Sequence, residues 1–273
     1  MKLKAFPAII PFILFLISGC QKWNDNRETL TSGNHTLAEA SFLYILHNAL
    51  IGASAEGALL ADSCFSLSWS DSSFPQTLTI DFGNTECNGL FDVPTRGKII
   101  VQLSDSLNQP GAVAIVSTSE LYIKGYKIEG TDTITNLGLN VSGNPEYRMK
   151  VTDGRIIAEP DETYEDYTLV WECDYRFELI DKVNEVFSID DLYKITGSAS
   201  GVNEEGRSYT AEIIEPLQKY TDCRWIGSGK TKISPDDLKE KELNYGECDT
   251  GSTCCDNIAI EEVRWTDRTV RMK

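Results

Sequence analysis

Trp171-Glu172-Cys173-Asp174-Tyr175-Arg176-Phe177-Glu178-Leu179 alternates large apolar and charged residues without a break. In an extended chain successive side chains point to opposite faces, so this spacing collects the apolar groups on one side and the charges on the other. The stretch predicts a half-buried antiparallel strand with Trp171 in the core. Shorter runs of the same kind lie at 98–103, 147–151, 193–195, 209–213, 258–263 and 269–272. Polar or glycine-bearing turns are expected between them at Thr152-Asp153-Gly154, Asn203-Glu204-Glu205-Gly206 and Thr266-Asp267-Arg268. Many short strands punctuated in this way predict a mainly β fold, an antiparallel sandwich-like body.

One helix precedes the strands. Thr36-Leu37-Ala38-Glu39 has the form of a capping box, which predicts a helix over 36–60. Leu37, Ala40, Leu43, Tyr44, Leu46, His47 and Leu50 follow at helical spacing, an apolar stripe to lay against the sheet. Residues 20–35 are polar and rich in Asn, Thr, Ser and Gly, and read as a flexible tether. Within the β region, Tyr126-Lys127-Ile128-Glu129-Gly130 is echoed by Tyr193-Lys194-Ile195-Thr196-Gly197. A second echo relates Cys64, Ile80-Asp81-Phe82-Gly83 and Cys87 to Cys223, Leu243-Asn244-Tyr245-Gly246 and the cysteines after it. Together they suggest an old internal duplication, with one half at 61–155 and the other at 156–273.

The chain opens with Met1-Lys2-Leu3-Lys4 and an uncharged apolar run over 5–17. A basic head before a short apolar core is the layout of a secretory signal, and the run is shorter than the ~20 residues a membrane-spanning helix needs. It ends Ile17-Ser18-Gly19-Cys20, which resembles the bacterial lipobox. That resemblance implies cleavage of residues 1–19 and lipid on the Cys20 sulfur. The expected location is the cell envelope, held to the outer membrane by the lipid, with the leaflet left open. Two or three acyl chains at about 0.8 kcal/mol per buried methylene hold a protein stably, whereas one does so only marginally.

Removing Lys2 and Lys4 leaves 23 basic and 42 acidic residues, a net charge of −19 for the mature chain. Such a surface repels nucleic acid and anionic lipid headgroups. The only histidines are His35, in the expected tether, and His47, on the expected helix, and neither has a nucleophile elbow beside it. No Cys-x-x-Cys, phosphate loop, dinucleotide fingerprint or EF-hand order occurs, so neither a catalytic centre nor a metal or cofactor site is expected. Carboxylates are plentiful enough for a glycosidase-like pair, but spacing in sequence says nothing about convergence from different strands. Candidate ligands are a glycan or a protein, with Trp69, Trp225 and Trp265 as the aromatic surfaces for stacking on sugar rings.

Asp81-Phe82-Gly83, Arg96-Gly97-Lys98-Ile99 and Cys255-Asp256-Asn257, together with the N-terminal helix, resemble a group of uncharacterised Bacteroidota lipoproteins. The resemblance spans most of the mature chain and implies a fold, not an activity. Seven cysteines follow Cys20, and in an oxidising compartment structural disulfides are expected: Cys64 with Cys87, and Cys223 with Cys255. Cys173, Cys248 and Cys254 are additions to the family pattern and their pairing stays open. Three functions remain in view: a noncatalytic binding protein, a fimbrillin-like assembly subunit, and a polysaccharide-active enzyme.

Overall fold

The computed structural model describes residues 28–54, 64–160, 166–181, 191–247, 256–263 and 266–272. Its strands are β1 (Ser66–Trp69), β2 (Gln76–Asp81), β3 (Cys87–Asn88), β4 (Pro94–Leu103), β5 (Val113–Ile123), β6 (Tyr126–Leu139) and β7 (Pro145–Ala158). They continue as β8 (Tyr167–Asp181), β9 (Leu192–Val202), β10 (Ser208–Tyr220), β11 (Ser228–Pro235), β12 (Lys241–Asn244), β13 (Ile258–Val263) and β14 (Thr266–Arg271). All belong to one antiparallel sheet in which each strand pairs with the next, β2 passing over β3 to pair with β4. β1 and β14 are the two ends of the ladder. The fold is mainly β, sandwich-like, with one N-terminal helix between the faces of a single curled sheet.

The alternating stretch is β8, and Trp171, Cys173, Tyr175, Phe177 and Leu179 are all buried on its inner face. The other expected runs fall in β4, β7, β9, β10, β13 and β14. Two expected turns are corrected. Thr152-Asp153-Gly154 does not turn the chain, because β7 runs through it as a bulge, with Asp153 at φ +53° and the β7–β8 register slipping between Val151 and Gly154. Thr266-Asp267-Arg268 begins β14, where Arg268 pairs with Glu261.

Bulges and glycines let long strands bend far enough to enclose a helix. Gly130, at φ +138°, lies at a register slip opposite Gly154, and a Cβ there would come within 2.9 Å of the Gly154 Cα. Gly197, at φ +127°, packs so tightly that a Cβ would sit 2.2 Å from the Asp174 carbonyl oxygen. These are the glycines of the Tyr-Lys-Ile echo, so both copies carry the same kind of bend. The expected divide at 155/156 falls inside β7, which pairs with β6 and β8 over its length.

The helix, α1 (Leu30–Ala53), starts six residues before the expected Thr36. Thr36 and Glu39 are interior residues, and the Thr36 hydroxyl donates back to the Gly33 carbonyl at 3.0 Å. The first turn is held instead by Glu28, whose carboxylate accepts from the Thr31 amide at 2.9 Å and its hydroxyl at 2.7 Å. Residues 30–35 are therefore helix and core, not tether. Nor is there a single apolar stripe: 19 of the 24 helical residues are buried, which requires protein on every side. The helix touches β2, β4, β6, β7, β8 and β14.

Polar groups on a helix so enclosed need partners, and the sheet supplies them. Glu39, 1 % exposed, accepts from the Tyr175 hydroxyl at 2.7 Å and the Tyr245 hydroxyl at 2.8 Å. His35 accepts at Nδ1 from the Trp171 indole at 3.3 Å, while its Nε2 stands 3.7 Å from Glu39. Burial lowers the His35 pKa against the pull of Glu39. Phe42 stacks on Trp171 with ring centroids 5.3 Å apart. At the N-terminal end, Ser32 donates to Glu261, Asn203 donates to Thr31 at 3.0 Å, and buried Lys241 pairs with Glu28 at 3.3 Å and Glu261 at 3.6 Å.

Cys64 and Cys87 form the expected disulfide, with Cα atoms 5.7 Å apart. The bridge ties the start of the sheet to β3. Asp81-Phe82-Gly83 and Arg96-Gly97-Lys98-Ile99 turn out to be one unit: Asp81 pairs with Lys98 at 2.8 Å, and Gly97 exchanges backbone bonds with Phe82 and Gly83.

Candidate functional site

Among the described residues the interior around α1 leaves little room for a ligand. Between the C-terminal half of α1 and β6–β10 there is a cavity of about 40 Å³, lined mainly by Leu43, Leu46, Leu50, Ile134, Met149 and Phe177. With a water needing at least 10–15 Å³ on this kind of measure, it holds a few small molecules of solvent at most. His47 and Lys219 stand at its edge. Burial, then the neighbouring Lys219, push the His47 pKa down to about 3, so His47 is a neutral packed residue against Phe91. Burial pushes Lys219 down to about 7, partly offset by Asp222, and its amine donates to the carbonyls of Tyr220 and Cys223.

The roomier concavity is on the outer face. A trough of about 630 Å³ runs across β7, β8, β9 and β10. Strand register explains its floor. One row reads Lys150, Asp174, Ser198 and Glu212, and the next reads Glu172, Ser200 and Thr210. Short hydroxyl side chains in the middle of both rows leave a channel between longer charged groups.

Many of the flanking charges are already engaged. Asp174 forms a two-pronged pair with Arg148, Glu212 meets Lys232 at 3.1 Å, and Glu172 accepts from the Asp153 amide at 3.3 Å. The Arg148 guanidinium, with a hydrogen bond leading, lowers the Asp174 pKa. The hydroxyls of Ser198, Ser200 and Thr210 have no protein partner among the described residues. Such a floor offers hydrogen-bond donors and acceptors to a hydroxyl-rich or amide-rich ligand.

The sequence-derived candidates are dispersed. Trp69 lies on β1 at the end of the ladder, 43 % exposed. Trp225 sits in the connection between β10 and β11, half-buried against the core, with the Arg224 guanidinium 4.3 Å from its ring centroid. Neither lines the trough or the internal cavity, and Trp265 is outside the described residues. Cys223 is disulfide-bonded; Cys255, its expected partner, and Cys20 also lie outside them. Cys173 is a free thiol buried on the inner face, its pKa raised well above the usual by burial.

Sequence reasoning missed the trough because it arises only when β7 to β10 are in register. It also missed Asp132 on β6, which shares the inward parity of Ile128 and Ile134. Asp132 is 2 % exposed, and neither carboxylate oxygen has a hydrogen-bond partner. Burial alone pushes its pKa up to about 8, making it a neutral acid at pH 7. Among the described residues, no three His, Cys, Asp or Glu side chains converge as a metal site, and no helix is long and apolar enough to cross a membrane. No protein family matches this chain, and neither a curated protein nor a solved structure matches it.

Proposed function

We propose that this chain is a lipid-anchored protein of the cell envelope that binds a polar ligand, a glycan or an extended peptide, on the outer face of its sheet, without catalysing a reaction. The observation that carries this reading is that, among the described residues, α1 fills the interior. In ligand-carrying β folds the cavity enclosed by the sheet is the binding chamber, and here α1 occupies it with its polar groups matched to Tyr175, Tyr245, Trp171 and Glu261. Recognition is left to the outside, where the trough across β7–β10 has a volume within the ordinary range for small-ligand sites, roughly 300–1,000 Å³. The lipobox at Cys20 supports the location.

The test uses the mature body without its lipid, screened against glycan and peptide arrays, beside Ser200→Trp, which fills the trough floor. Saturable binding that Ser200→Trp abolishes, with far-ultraviolet circular dichroism and thermal midpoint unchanged, is expected. Binding by neither protein, or equal binding by both, would contradict the proposal.

A second reading, an assembly subunit, draws on the open ladder. Among the described residues β1 and β14 each pair on one side only, and an unpaired strand edge is a template for another chain. Light scattering that finds a monomer at every concentration up to the millimolar range would remove it.

A further inference from the structure

Resting on the lipid-anchored reading above, we infer that the body stands on its membrane with the N-terminal end of α1 and the turns around it facing the bilayer, and the β6–β7 hairpin tip pointing away.

Three observations carry this. The first is where the described chain begins. Glu28 is eight residues beyond Cys20, and at no more than ~3.6 Å per residue any conformation of the intervening chain keeps it within about 29 Å of the lipidated residue. Glu28 is also firmly fixed, through Thr31, Lys241 and Arg207. The anchor therefore holds one end of the enclosed helix.

The second is strand direction. The helix start is bonded to the β9–β10 turn, through Asn203 and Glu204, and to Lys241 at the start of β12. β8 pairs with β9 from Val170 opposite Val202, beside that turn, to Asp181 opposite Leu192. The eleven steps from Val170 to Asp181 along β8 extend about 36 Å at ~3.3 Å per residue. The β6–β7 tip lies at the far end, where the side chains of Asn140 and Asn144 both donate to Glu178, at 2.7 and 2.9 Å. Held on that tip are Leu139, 70 % exposed, and the fully exposed Val141.

The third is charge. The exposed groups on the anchored rim are predominantly acidic: Glu205, Asp236, Asp237, Glu240 and Asp267 against Lys239. Anionic headgroups repel such a rim as they repel the acidic body as a whole, so charge gives no face a contact with the membrane and the anchor decides which end lies nearest.

The experiment uses the full-length, lipidated protein in vesicles of phosphatidylethanolamine and phosphatidylglycerol doped with rhodamine-labelled lipid. A donor fluorophore is placed through a bio-orthogonal amino acid at Asp237 in one preparation and at Val141 in another, and protein bound by vesicle flotation is measured. Energy transfer to the lipid acceptor several-fold greater from Asp237 than from Val141 is expected. Equal transfer, or greater transfer from Val141, in protein that floats overturns the orientation while leaving the anchor standing. Failure to float, with an unmodified Cys20 in the mass spectrum, overturns the anchor and the orientation with it.

Discussion

Replacing Asp132 with valine should stabilise the protein increasingly as pH rises from 4 to 8. The carboxyl group faces the core from β6 with neither oxygen bonded, and burial raises its pKa to about 8. In the unfolded chain an aspartate titrates near 3.9. Between those two values the folded protein holds one proton more than the unfolded chain, so this residue lowers the unfolding free energy by about 1.4 kcal/mol per pH unit. The sign is the reverse of a salt-bridged aspartate: the penalty is absent below pH 4 and complete above pH 8. Over that window it amounts to about 5 kcal/mol, and at pH 7 to about 4 kcal/mol, a large fraction of the 5–15 kcal/mol typical of a domain. Urea unfolding of native protein and Asp132→Val, followed through tryptophan fluorescence at each pH from 4 to 8, isolates the effect because other titrating groups cancel in the difference. A stability difference that stays constant across the series would refute the reasoning, whatever its size.

Lys219 gives the opposite slope. Its amine is held near pKa 7 by burial, so the folded state disfavours the cation, and stability is lost as pH falls from about 10 to 7; Lys219→Met should flatten that part of a stability profile measured by urea. Glu39→Leu leaves the buried Tyr175 and Tyr245 hydroxyls unpaired and should destabilise by roughly 2–5 kcal/mol, read as a fall in thermal midpoint. Replacing both Cys64 and Cys87 with serine should cost about 3 kcal/mol in the chain-entropy account, visible as a lower urea midpoint. Gly197→Val forces a Cβ onto the Asp174 carbonyl at a backbone angle valine avoids, and should yield little soluble protein compared with Ser198→Val beside it on the outer face.

The strands were legible because their information is local. Alternation in β8 needs no knowledge of its neighbours, and neither does the Cys64–Cys87 spacing within one β region. The helix start was not, because what makes Ser32, Asn34 and His35 tolerable in a helix is chemistry brought from afar: Glu261, Glu204 and Trp171, all more than 130 residues away. Without those partners, the same polar residues read as a tether. Thr36 and Glu39 satisfied the capping rule by spacing alone, while Glu28, outside any such motif, does the capping. The bulge at Asp153 looked like a turn because both use the same left-handed backbone; only the continuing β7–β8 ladder tells them apart. The trough was illegible for a related reason, since Ser198, Ser200 and Thr210 are unremarkable until register sets them side by side. Asp132 could have been found, as an acid at a position whose parity places it among isoleucines.

Location underlies the functional account, and it reduces to the chemistry of one sulfur atom. Protein purified from envelopes of the native organism, digested and analysed by mass spectrometry, should yield an N-terminal peptide that begins at Cys20 and carries the added mass of diacylglycerol. A peptide that retains residues 1–19, or one that begins at Cys20 with an unmodified thiol, would contradict it.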